Sequence, residues 1–249
     1  MSSLPHILLI HGGPGAAGSL HPMAEYLSER YSVLECLQTR YSISELKQEL
    51  ITQIRTEADP PVILIGHSWG AWLSVMVAAE QPQIIRELVL TGCPPFDDRY
   101  VPMITDNRLN RLDETARDRF RSLLSRLAHE ATDETMTELK LLVEQTDNFH
   151  LQSSVPQTTA DARMYEAIWP EAAAMRTEGK LKQLLTRLTC PVTVIHGEQD
   201  PHPLPGVTIP LDEAGVAYQL HLLPRCGHTP FLETYAAADF YTLLDQILV

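Results

Sequence analysis

The chain predicts an α/β fold: a six-stranded, mostly parallel sheet flanked by helices, with a helical cap inserted into it. Three observations carry this reading. Apolar, β-branched runs alternate with helical patterns over residues 1–95 and resume over 189–249, and the two stretches are read together as one core. From 96 to 188 strand signals disappear and the pattern is helical, so this stretch is read as the cap. Two of the strand runs end in glycine-rich turns, and ligands of open α/β sheets gather at the carboxyl ends of strands.

Taken in order, residues 5–11 form the first strand, in which Ile7-Leu8-Leu9-Ile10 reads as buried on both faces. A helix is expected at 22–30, a strand at 32–37 and a helix at 43–55. Ser42 and Glu45 make a capping box for that last helix, and Ile43, Leu46, Leu50 and Ile54 share its apolar face. A strand at 61–65, a helix at 69–80 that is apolar almost all round, and a strand at 86–91 continue the alternation. Right-handed crossovers between such units make neighbouring strands parallel.

In the cap, Ala116, Phe120, Leu123, Leu124 and Leu127 share one helical face, and Met136, Leu139, Leu142 and Val143 another. Thr135 with Glu138 reads as a helix cap. The segment leaves the sheet after the 86–91 strand and returns before a strand at 192–196, which would put it over the carboxyl ends. The same pattern also fits an insertion with no part in chemistry. A strand at 218–223 and an amphipathic final helix carrying Leu232, Tyr235, Phe240, Leu243, Leu244 and Ile247 complete the core.

Chemistry enters at Gly66-His67-Ser68-Trp69-Gly70, where a strand turns sharply into a helix. Such a turn lifts a serine clear of the backbone in a strained conformation, and it needs neighbours without side chains, here Gly66 and Gly70. Ser68 is the candidate nucleophile; the motif alone also fits an ordinary tight turn. Upstream, His11-Gly12-Gly13-Pro14-Gly15 is too glycine-rich to serve packing, and its spacing is neither a dinucleotide fingerprint nor a P-loop. The backbone N–H groups of Gly13 and Trp69 are the candidate oxyanion hole. Asp200 follows the 192–196 strand and His228 the 218–223 strand, so the acid and base come in the order Ser, Asp, His. Singly, Asp200 also fits a turn residue and His228 a backbone-bonded loop histidine. Asp97 and Asp98 follow a strand too, but Pro94-Pro95-Phe96 carries the chain away first, so Asp200 is preferred.

These motifs resemble the α/β-hydrolase superfamily over nearly the whole chain, and HGGPG with the Ser-Trp-Gly elbow is most similar to its proline iminopeptidase branch. The resemblance implies an α/β-hydrolase fold and a serine hydrolase without metal or organic cofactor. It implies Ser68 as nucleophile, Asp200 as acid and His228 as base. Many iminopeptidases carry glycine where His67 stands, and HGGPG also occurs in esterases. The expected activity is iminopeptidase-like cleavage of a small-molecule or short peptide substrate, with a small-molecule carboxylesterase as the alternative. A non-catalytic ligand-binding module on the same fold is a third reading.

Composition agrees. With 249 residues, 44% hydrophobic and 20% charged, the chain can bury one large core and a cap. The net charge of −13 argues against nucleic acid and anionic membrane as partners and mildly favours cationic substrates. No signal peptide or membrane span is visible, and Cys36, Cys93, Cys190 and Cys226 lack metal or redox spacing, so a cytoplasmic location is expected. Cys226 is read as loop core. His21, His129, His150 and His202 have no partner at metal-ligand spacing, and no metal is expected. For a substrate ammonium the available cap carboxylates are Glu134, Glu138, Glu144, Asp147, Glu166 and Glu171, although each also fits a solvated helix face. Met103, Phe149, Trp169 and Met175 would line an apolar acyl pocket or pack the cap's own core.

Overall fold

The computed structural model describes residues 6–129, 132–152 and 161–248. Pro5, where the first strand was expected to begin, lies outside them, as do parts of the cap reading at 130–131 and 153–160. The order is β1 (Ile7–Ile10), α1 (His21–Ser28), β2 (Val33–Cys36), α2 (Ile43–Glu57), β3 (Val62–His67), α3 (Trp69–Glu80) and β4 (Ile85–Thr91). Helices α4 (Val101–Asn110), α5 (Glu114–Leu127), α6 (Asp133–Asp147), α7 (Ala162–Thr177) and α8 (Lys180–Leu185) then intervene. The core returns with β5 (Val192–Gly197), α9 (Pro205–Glu213), β6 (Tyr218–Leu223) and α10 (Ala237–Ile247).

The six strands stand in the order β2-β1-β3-β4-β5-β6. Every neighbouring pair is parallel, so the expected "mostly parallel" sheet is parallel throughout. The apolar runs explain this: strands covered by helices on both faces have no polar side to show. Leu8, Ile10, Leu64, Leu88, Leu90 and Val194 pack toward α2, α3, α8 and α9. Their alternates, Ile7, Leu9, Ile63, Ile65, Val89 and Ile195, pack toward α1 and α10. One residue of slip would exchange the two sets.

The chain winds outward from β1 to β2 and then returns to β3 on the other side of β1. This reversal makes β1 and β3 the switch point of the sheet, where a crevice opens beyond the strand ends. Ile10 pairs in register with Gly66, so the HGGPG loop and the Ser68 turn leave the sheet side by side.

Three details differ from the sequence reading. Thr132, not Thr135, caps α6, accepting from the Thr135 N–H at 3.2 Å, while Glu138 pairs with Arg119 at 3.1 Å. Helix α9 was not foreseen; Pro205 sits in its first turn, where no N–H is required, and Pro210 lies inside it. The final helix starts at Ala237, so Leu232 and Tyr235 lie outside it. The break is at Glu233, which is extended and turns its carboxylate back into the fold. Among the described residues no helix is long and apolar enough to cross a membrane.

Candidate active site

Ser68 sits between β3 and α3 with φ 53° and ψ −123°, a conformation rare for any residue but glycine. Its N–H donates to Thr91 O at 3.0 Å. The flanking glycines are required by contact. A Cβ on Gly70 would stand 2.0 Å from Ile10 O, and one on Gly66 2.5 Å from Gly70 O. Ser68 and His228 line one cavity of about 520 Å³, together with Gly13, Trp69 and His202.

The loop after β1 reaches the same cavity. Gly13 has φ +111°, and a Cβ there would meet Gly15 N at 2.6 Å. Trp69 is the first residue of α3, where N–H groups lack intrahelical acceptors. Gln38 ties the two loops together, a role with no sequence signal of its own. Its Nε2 donates to His11 O at 3.0 Å, and its Oε1 accepts from Trp69 Nε1 at 2.8 Å.

Asp200 is fully buried in its side chain, and its Oδ2 accepts from His228 Nδ1 at 2.8 Å. That bond fixes the imidazole tautomer and leaves Nε2 as the basic nitrogen. Burial opposes ionisation of Asp200, but the charges of His228, His202 and His196 hold its carboxyl well below the usual range. Burial likewise disfavours charged His228, yet the Asp200 charge and hydrogen bond prevail and raise its pKa. Asp97 and Asp98 are engaged elsewhere, Asp97 with Lys182 at 2.8 Å and Asp98 with Arg176 at 3.0 Å.

Three neighbours of His228 escaped the sequence reading. His202 places Nδ1 on Asp200 Oδ1 at 2.8 Å and stacks on His228 with ring centroids 4.3 Å apart. The only hint was an aspartate two residues before it. Asp200, His202 and His228 thus present ligand-type atoms within 4.8 Å of one another, which corrects the reading that His202 has no such partner. Both imidazole Nδ1 atoms point at carboxylate oxygens, a hydrogen-bonded arrangement that needs no ion. His67 Nε2 donates to His228 O at 2.9 Å, and burial pushes its pKa down to about 3. Glu233, wholly buried, accepts from the N–H groups of Gly227, Phe149 and His150 at 2.8, 2.6 and 2.6 Å.

The inserted helices form the other wall. The carbonyl of Asp147 at the end of α6 accepts from His228 N at 2.7 Å, and Gly227 is required there because a Cβ would stand 2.2 Å from that oxygen. Of the six carboxylates considered for an ammonium, only Glu144 and Asp147 line the cavity. Asp147 gives both oxygens to Arg108, at 2.7 and 2.6 Å, and Glu144 lies 3.6 Å from Lys140 Nζ. Glu171 instead accepts from Ile43 N, at the start of α2, at 3.0 Å. Trp169 lines the cavity, whereas Met103 and Phe149 are exposed and Met175 packs on the core. Cys226 is buried, and burial raises its thiol pKa, as suits a packing residue.

A model of the alpha/beta hydrolase family matches residues 7–240. Two curated relatives are similar over part of the chain. A 2-(acetamidomethylene)succinate hydrolase of Mesorhizobium japonicum is 29% identical over 43% of this chain and 42% of its own. A pimeloyl-[acyl-carrier protein] methyl ester esterase of Nitrosospira multiformis is 22% identical over 75% of this chain and 69% of its own. The chain therefore spans less than half the length of the first relative. Among solved structures, VinJ is similar with a TM-score of 0.71 at 17% identity, covering 99% of this chain and 90% of its own. A proline iminopeptidase of Mycobacterium smegmatis reaches 0.65 at 16%, covering 100% and 91%. At these identities the structural likeness is one of fold.

Proposed function

The chain belongs to the alpha/beta hydrolase family, and on that premise we propose that it is a serine hydrolase cleaving an ester or amide bond of a small substrate through an acyl-enzyme. The observation that carries this is the hydrogen bond to Asp200 from His228, which lines the same cavity as Ser68. His228 Nε2 takes the proton of Ser68 as its Oγ attacks the carbonyl carbon. The N–H groups of Gly13 and Trp69 receive the oxygen on which charge develops. His228 then gives its proton to the leaving alcohol or amine, and a water activated by the same nitrogen releases the acid. Asp200 orients the imidazole and stabilises its charged form. Helices α4 to α7 serve as the cap over the cavity.

Between the two substrate readings, the cavity favours an esterase or an amidase of amides without an ammonium over an aminopeptidase. An ammonium needs a carboxylate with room to accept, but Asp147 is occupied by Arg108 and Glu144 lies beside Lys140. A relative named as an esterase is consistent with this. Labelling with a fluorophosphonate, followed by mapping of the adduct, tests the mechanism: modification of Ser68 is expected, and none would support the binding-module reading. Turnover of free and N-acetylated proline arylamides beside short-chain aryl esters then separates the substrates. A strict demand for the free amine would restore the iminopeptidase reading.

A further inference from the structure

We infer that the substrate cleaved at Ser68 carries a carboxylate, received in the cavity by Arg176. The inference rests on the serine hydrolase reading and names its substrate class.

The charges of the cavity wall point this way once they are paired off. Asp147 is closed by Arg108, and Glu144 and Lys140 lie together, so neither carboxylate presents a free charge. Arg176 is different. It is buried at 7% exposure and lines the cavity, but its partner Asp98 does not line it and has a side chain 47% exposed. That bond uses only Nε, at 3.0 Å; the two terminal nitrogens have no hydrogen-bond partner among the described residues. Both keep access to solvent and so are free to take a ligand, and a two-oxygen anion satisfies a planar fork of N–H groups better than any single oxygen does.

The wall beside Arg176 is built to guide such a ligand. Tyr165 stacks on Trp169 with centroids 5.8 Å apart, and Trp169 on Trp72 at 6.3 Å with planes 7° apart. The Arg176 guanidinium lies over Trp72 at 5.6 Å, which holds the fork in place. Tyr165, Trp169 and Arg176 all come from α7 and all line the cavity. An apolar segment lying along Tyr165 and Trp169, with its ester or amide at Ser68 and its acid at Arg176, would occupy this wall. A monoester or monoamide of a small dicarboxylic acid has that form.

The test compares 4-nitrophenyl hydrogen adipate with its methyl ester, which differs by one charge. The wild type is expected to favour the acid at least tenfold in kcat/KM. Arg176→Met should lower that ratio at least tenfold whatever it does to absolute turnover, and Arg176→Lys, which keeps the charge but not the fork, should fall between. Monomethyl adipate should bind calorimetrically to the Ser68→Ala protein and not to Ser68→Ala with Arg176→Met. Equal use of acid and methyl ester by the wild type, or an unchanged ratio in Arg176→Met, would overturn the carboxylate proposal while leaving the Ser68 chemistry standing. If neither ester reacts and a fluorophosphonate leaves Ser68 unmodified, the hydrolase reading fails, and the calorimetry still decides whether a carboxylate is bound at Arg176.

Discussion

His202 and His228 lie stacked, with ring centroids 4.3 Å apart, each directing Nδ1 at a different oxygen of Asp200. One buried carboxylate therefore serves two imidazoles that cannot both charge cheaply. Burial and the charge of His228 lower the pKa of His202, while Asp200 raises that of His228 above the ordinary value despite its burial. The two titrate as a coupled group in which His228 takes the proton.

The pH dependence follows from that direction. A general base works only when neutral, so kcat/KM should rise with pH through a midpoint above the ordinary imidazole value, and activity should be lost as pH falls below it. A profile measured from about pH 5 to 9 checks this, and a flat one would exclude a titrating histidine base.

Replacing His202 with Phe keeps a stacked ring but removes the side-chain donor on Asp200 Oδ1, leaving the His202 backbone N–H at 2.9 Å. His202 acts through Asp200, so it is a positioning residue. Its loss should lower kcat/KM by about tenfold. With Asp200 charge concentrated on His228, the acidic limb of the pH profile should also move upward. A fall in activity with an unmoved limb would mean that His202 merely packs.

Asp200→Asn should reduce kcat by about ten-thousand-fold by leaving His228 in the wrong tautomer. Asp97→Asn should change it little, because Asp97 bonds Lys182 and Arg99 away from the imidazole. Steady-state rates of the two variants rank the acids, and the opposite order would move the acid to the end of β4.

Comparing these residues with the chain itself shows which forces act locally. The Ser68 turn was readable because its residues stand together in the chain: a backbone with φ 53°, a local approach that requires Gly66, and an approach of the first strand's Ile10 carbonyl that requires Gly70. The strands were readable because burial on both faces leaves an unbroken apolar run. Gln38 and Glu233 were not, since each bonds across the fold to groups whose nearness only the topology creates, and His202, although it bonds Asp200 two residues away, meets His228 only through the same topology. The charge of the substrate was less legible for a related reason. A net charge of −13 describes the long-range field, whereas the cavity wall has charges of its own: Arg108 is paired there with Asp147, and Arg176 lines it while bonding Asp98 only through Nε.

The Arg108–Asp147 pair allows a final test, because it joins α4 to the end of α6, whose last carbonyl holds the loop that carries His228. Asp147 is 2% exposed; its side chain is neutralised by Arg108 and its carbonyl accepts from His228 N. Arg108→Leu would strand a carboxylate that Arg108 now holds below its usual pKa against the cost of burial, and breaking such a pair costs roughly 3–5 kcal/mol. Arg108→Leu combined with Asp147→Leu removes both charges and should recover most of that loss, since the penalty lies in the unpaired ion and not in the missing attraction. Denaturant unfolding of the two variants checks the ordering. A double variant less stable than Arg108→Leu would show that the pair itself, and not the avoidance of a lone buried charge, holds α4 to the end of α6.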